Sequence, residues 1–125
     1  MGDIKTKVLI IEDDKFLSEL ISTKLDKEGY AVEIALDGES GYKKAVETQP
    51  DIVLLDIMLP GIDGFEVLEK IKKEPATKNL PVIILSNFGQ EDKVERGLAL
   101  GAQDYLVKAN FTTGEIVDKI KATLQ

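Results

Sequence analysis

The segments Lys7–Ile11 (KVLII), Asp51–Asp56 (DIVLLD) and Pro81–Leu85 (PVIIL) each carry four consecutive aliphatic residues. A strand with one face in water alternates apolar and polar positions. An unbroken run suits a strand covered on both faces. Parallel sheets meet that condition, because their crossover connections lay helices over both sides.

The intervening segments have the spacing those helices need. Glu12, Asp13 and Asp14 follow the first run, and Asp14 suits a helix N-cap. Leu17, Leu20, Ile21 and Leu25 then fall at i, i+3, i+4 and i+8, one stripe of a helix that Gly29 stops. Tyr30 to Ala35 alternates and reads as a strand. Leu36 to Gly38 turns the chain, and Gly41 to Thr48 reads as a helix with Tyr42, Ala45 and Val46 inward, closed by Pro50. Phe65, Leu68 and Ile71 mark a helix capped by Asp63. Gln90 to Leu100 is a more charged helix ending at Gly101, Asp104 to Val107 a fifth strand, and Thr113 to the C-terminus a last helix with Ile116, Val117, Ile120 and Leu124 on one face. Strict alternation of five strands and five helices predicts an α/β fold, one doubly wound five-stranded parallel sheet flanked by five helices. Residues 1–125 read as one domain, with no output domain in the chain.

Composition narrows the chemistry. The chain has no Cys and no His, which excludes thiol chemistry and removes the commonest general base and zinc ligand. Its formal charge of −7 argues against direct nucleic-acid binding and against an anionic membrane as partner. Residues 1–7 are polar and no apolar run approaches membrane-spanning length, so a cytoplasmic protein is expected.

Four predicted strands end in a polar group: Glu12 and Asp13 after the first, Asp56 after the third, Ser86 after the fourth and Lys108 after the fifth. Taken singly, each has a plain reading as a cap, a turn acid or a surface lysine. In a parallel sheet, however, all these ends lie on one edge, where ligands bind. Three carboxylates converging there need a cation. Oxygen donors alone favour a hard one such as Mg²⁺. A carboxylate can attack phosphorus to form an acyl phosphate, with the cation and an ammonium neutralising the transferring group.

The pieces IIEDD, LLDIMLPGIDG, ILS and GAQDYLVK, in this order along the whole chain, resemble the receiver domain of bacterial two-component response regulators, including chemotaxis regulators. The resemblance implies the flavodoxin-like strand order 2-1-3-4-5. It implies that Asp56 is phosphorylated by a sensor histidine kinase or a histidine phosphotransfer protein, in a domain that is no enzyme beyond its own aspartyl phosphorylation and dephosphorylation. By the same resemblance Glu12, Asp13, Asp56 and the Met58 backbone carbonyl hold Mg²⁺. Ser86, Asn87 and Lys108 surround the phosphoryl group. Ser86 and Tyr105 form a switch, Tyr105 turning inward as Ser86 is drawn to the phosphoryl group. The readout then lies on the fourth helix, fifth strand and fifth helix, toward a downstream protein target or a fused output domain, as a monomer or a phosphorylation-dependent homodimer.

The sequence departs from the family at two places. Ala109 follows Lys108 where a cis proline is usual, so that peptide is expected to be trans with a rearranged loop, or a cis bond held by the site. Asn87 stands where a small residue is usual, and is expected to narrow access of water or a phosphatase. The alternative function is a receiver-like interaction module that is not phosphorylated. A haloacid-dehalogenase-type phosphohydrolase would need a second Asp at Met58. A flavodoxin-type flavin site would need a hydroxyl- and glycine-rich loop where Glu12 to Asp14 stand.

Overall fold

Alternate residues of β1 (Lys7–Ile11), β3 (Ile52–Leu55) and β4 (Val82–Ser86) enter two separate apolar layers. Leu9, Ile11, Val53, Leu55, Val82 and Ile84 join Ala45 of α2 (Gly38–Thr48) and Val67, Leu68 and Ile71 of α3 (Gly64–Lys73). Val8, Ile10, Ile52, Leu54, Ile83 and Leu85 join Ile21 and Leu25 of α1 (Lys15–Lys27), together with Ile116, Val117 and Ile120 of α5 (Thr113–Leu124). The two-sided burial explains the unbroken aliphatic runs. Each such side chain contributes roughly 1.5–3 kcal/mol of burial.

These features come from a computed structural model that describes residues 5–125. The polar lead-in expected over residues 1–6 lies largely outside them. The five strands form one parallel sheet in the order β2-β1-β3-β4-β5, with β2 (Ala31–Ala35) and β5 (Asp104–Val107) at the edges. Among the described residues, no helix is long and apolar enough to cross a membrane.

Two helix starts follow the expected caps, Asp14 and Asp63, and a third uses Thr112. Asp14 accepts from Leu17 N, Asp63 from Glu66 N, and Thr112 forms a reciprocal capping box with Glu115. Helix α2 begins three residues before the expected Gly41, because Asp37 caps it through Ser40 N. Its glycines are needed for close approach: a Cβ on Gly41 would lie 2.7 Å from the Ile11 side chain. Leu20 is a correction, since it is 39% exposed. It sits about 100° around the helix from Ile21, and the buried Ser18 occupies the inner face instead. Helix α4 (Glu91–Ala99) is loosely seated: Gln90 makes no side-chain cap, and Gly97 is its one buried residue. A 3-10 turn, Lys108–Asn110, follows β5. Its Lys108–Ala109 peptide is trans, like every peptide bond among the described residues, which is the first of the two expected geometries for that bond.

Gly64 starts α3 directly against the chain that leaves β3. A Cβ there would collide with the Asp56 carbonyl oxygen and come within 2.5 Å of the Ile57 Cα. Backbone cannot swing aside as a side chain can. Gly64→Ala is therefore expected to destabilise the fold by about 1–3 kcal/mol, seen as a lower urea midpoint at unchanged m-value.

Candidate phosphoacceptor and cation site

The sheet's own hydrogen bonding delivers the acids. Beyond the strand ends, Glu12 N donates to Ala35 O (3.0 Å) and Asp56 N to Ile11 O (2.9 Å). The ladder thus continues one step and sets both residues at the carboxyl edge in register. Carboxylate oxygens of Glu12, Asp13 and Asp56 all lie within 4.8 Å of one another. Glu12 and Asp56 are buried and Asp13 is exposed.

Lys108, on the turn after β5, reaches back into this cluster. Its Nζ donates to Asp56 Oδ2 at 3.1 Å. It also lies 2.7 Å from Glu12 Oε1. That ion pair is the one contact found for the buried Oε1 among the described residues. Asp56 Oδ1 accepts from Met58 N (3.1 Å), and Glu12 Oε2 accepts from Asp14 N (3.2 Å). The remaining expected residues fall around the same edge. Asn87, Met58, Asp13, Asp56 and Lys108 line one open cavity of about 450 Å³. Ser86 ends β4 fully buried.

Burial, then the neighbouring Asp56 carboxylate, push the Glu12 carboxyl up to about 8, against the pull of Lys108. For Lys108, burial works to lower the ammonium's pKa. The contacts with Glu12 and the charge of Asp56 outweigh it and leave the pKa raised. One ammonium therefore does not balance three carboxyls. The three clustered carboxyls, exposed Asp13 among them, and an all-oxygen donor set fit a hard divalent cation.

Tyr105 is buried, with its ring inward in this structure. Its hydroxyl donates to Phe88 O (2.6 Å), and Phe88 N donates to Ser86 Oγ (3.0 Å). The two poles of one peptide residue thus join Ser86 to Tyr105. Sequence reasoning missed Phe88, because the groups that act are main-chain and any residue type supplies them. It also missed Gly97, where a Cβ would lie 2.6 Å from Ile84 Cδ1 and 3.1 Å from Tyr105 Cδ2.

Comparison with known proteins identifies the family. Residues 8–121 match the response regulator receiver domain family. The chain is 41% identical over 120 residues to the DNA-binding dual master transcriptional regulator RpaA of Synechocystis sp., covering 95% of this chain and 49% of that protein. It is 40% identical over 119 residues to the phosphate regulon transcriptional regulatory protein PhoB of Rhizobium meliloti, covering 95% and 52%. The chain therefore spans about half the length of these curated relatives. A crystal structure of a putative response regulator from Chloroflexus aurantiacus superposes with a TM-score of 0.88 at 33% identity, covering 97% of this chain and 98% of that one.

The raised Glu12 pKa has a consequence for stability. A carboxyl that holds its proton more tightly folded than unfolded stabilises the fold fully below the unfolded value of 4.5, and loses that contribution as pH rises through about 8. With no His in the chain, few other groups titrate in this window. In chelator-treated, metal-free buffer, urea midpoints should fall between pH 5 and pH 8 (roughly the window those two pKa values set). Glu12→Gln should flatten that slope, and an equal slope in the variant would show the assignment to be wrong.

Proposed function

The chain belongs to the response regulator receiver domain family, and from that premise we propose that Asp56 accepts a phosphoryl group from a sensor histidine kinase or a histidine phosphotransfer protein. The observation that carries this reading is the pairing of the Asp56 carboxylate with Lys108 (3.1 Å) in a cavity open to a donor. An oxygen of Asp56 attacks phosphorus while the bond from phosphorus to the donor nitrogen breaks. The electron pair leaves with the imidazole, and an acyl phosphate results. Lys108 follows the charge from the carboxylate to the phosphoryl oxygens. Asn87 lines the approach. Glu12, Asp13, Asp56 and the Met58 carbonyl are the groups that would hold Mg²⁺, whose charge would offset that of the transferring group. The domain catalyses only its own phosphorylation and dephosphorylation.

The readout proposed is a shift in the Ser86–Tyr105 pair. Ser86 Oγ accepts from Phe88 N–H, which leaves its own O–H free to donate to a phosphoryl oxygen. Any movement of Ser86 is felt at Phe88, whose carbonyl holds the Tyr105 hydroxyl. Phosphorylation would thereby bias how Tyr105 and the loosely seated α4 sit, and with them the α4-β5-α5 face. That face would address a downstream protein or a fused output domain. The greater length of the two transcriptional regulators it resembles supports the latter. The cytoplasm is the proposed setting, in keeping with an acidic chain free of cysteine.

Incubated with a small acyl phosphate and Mg²⁺, the protein should gain the mass of one phosphoryl group, and Asp56→Ala should gain none. Failure of the unaltered protein to gain it would favour the unphosphorylated interaction module. Gel filtration of the same samples separates monomer from phosphorylation-dependent dimer. Asn87→Ala should shorten the phosphoryl lifetime at least about twofold by opening the approach of water (a difference of roughly half a kcal/mol). Equal lifetimes would remove Asn87 from the site.

A further inference from the structure

The chain offers a two-electron oxidant very few targets. It has no Cys and no Trp, and only two methionines, Met1 and Met58. Met58 is 56% exposed. Its position is unusual as well as accessible. It lines the cavity that holds Asp13, Asp14, Asp56 and Lys108, and its backbone N–H donates to Asp56 Oδ1 at 3.1 Å. The most oxidisable side chain among the described residues therefore stands two positions from the phosphoacceptor, in the wall that a donor must pass.

We propose that Met58 is a reversible oxidation site, and that its sulfoxide slows phosphoryl uptake at Asp56. The inference rests on the reading of Asp56 as the acceptor. The reaction needs a hydroperoxide. The thioether lone pair attacks the distal peroxide oxygen, the O–O bond breaks, and water or an alcohol leaves with the proton. Sulfur loses two electrons and the peroxide gains them. A thiol-dependent sulfoxide reductase runs the change in reverse, removing the oxygen as water.

The consequence follows from the charges around the cavity. Its wall carries three carboxyls and one ammonium. The thioether is apolar and adds nothing to that field. A sulfoxide places a strongly dipolar oxygen at the same spot, its negative end available to meet an anionic phosphodonor. The hydrogen bond from Met58 N–H to Asp56 Oδ1 fixes the Met58 backbone beside the acceptor, so the side chain pivots from a point at the cavity wall.

The test is phosphorylation kinetics with a small acyl phosphate and Mg²⁺, before and after hydrogen peroxide, with peptide mass mapping to count oxygen at Met1 and Met58 separately. Oxidation at Met58 should lower the uptake rate at least threefold. Treatment with the two stereospecific methionine sulfoxide reductases should restore it. In Met58→Leu, which keeps Met1, the ratio of treated to untreated rates should be one, whatever its untreated rate. Met58→Gln should lower the rate without peroxide. Full oxidation at Met58 with an unchanged rate overturns the proposal. So does a loss of rate that persists in Met58→Leu, or an unmodified Met58 under doses that oxidise Met1. If untreated protein takes up no phosphoryl group, the acceptor reading fails and this proposal with it. If uptake is normal and oxidation is silent, only this proposal falls.

Discussion

One ammonium holds the functional edge together. Lys108 lies 2.7 Å from Glu12 Oε1 and 3.1 Å from Asp56 Oδ2, both buried carboxyls, with Asp13 beside them. Burying like charges this closely is unfavourable unless a cation or a proton relieves them. Lys108 supplies one positive charge, Glu12 removes a second negative charge by keeping its proton up to about pH 8, and the third carboxyl stays uncompensated. The buried pair is thus relieved while the cluster as a whole stays short of positive charge. It retains a buried carboxyl oxygen held only by the shared ammonium and an exposed acid, donors a divalent cation would take.

Everything that positions this cluster comes from the parallel sheet. Because all five strands run the same way, the residues after β1, β3, β4 and β5 reach one edge. Two-sided burial makes that edge rigid: the central strands put alternate residues into separate layers, with almost no exposed side chain between them. Rigidity on this side contrasts with α4, where one glycine is buried and the first turn lacks a side-chain cap. Elements with few buried contacts open at lower cost. A small change at Ser86 therefore has a soft neighbour to act on, through Phe88 and Tyr105.

How much of this could be read in advance varies with the kind of force involved. The strands were legible because burial on both faces leaves an unbroken aliphatic run. The caps at Asp14 and Asp63 were legible because a side-chain oxygen must meet a free N–H near its own position. The expected site residues Asp13, Asp56, Met58, Asn87 and Lys108 do line one cavity. Leu20 misled because a four-residue stripe leaves the helix's angular centre open by about one position. The early start of α2 misled because glycines normally weaken helices. Here they are needed for close packing on Ile11 and Ile62.

Residue chemistry alone carried the kinds of group at the site, the absence of histidine and thiol chemistry, and the alternation that implies a doubly wound sheet. Those depend on side-chain identity and short spacing. It could not carry the sharing of Lys108 between Glu12 and Asp56, or the link from Ser86 to Tyr105 through Phe88. Each of these requires groups distant along the chain, or main-chain atoms that every residue possesses, to meet at defined distances. Only the packed sheet and its loops supply that geometry.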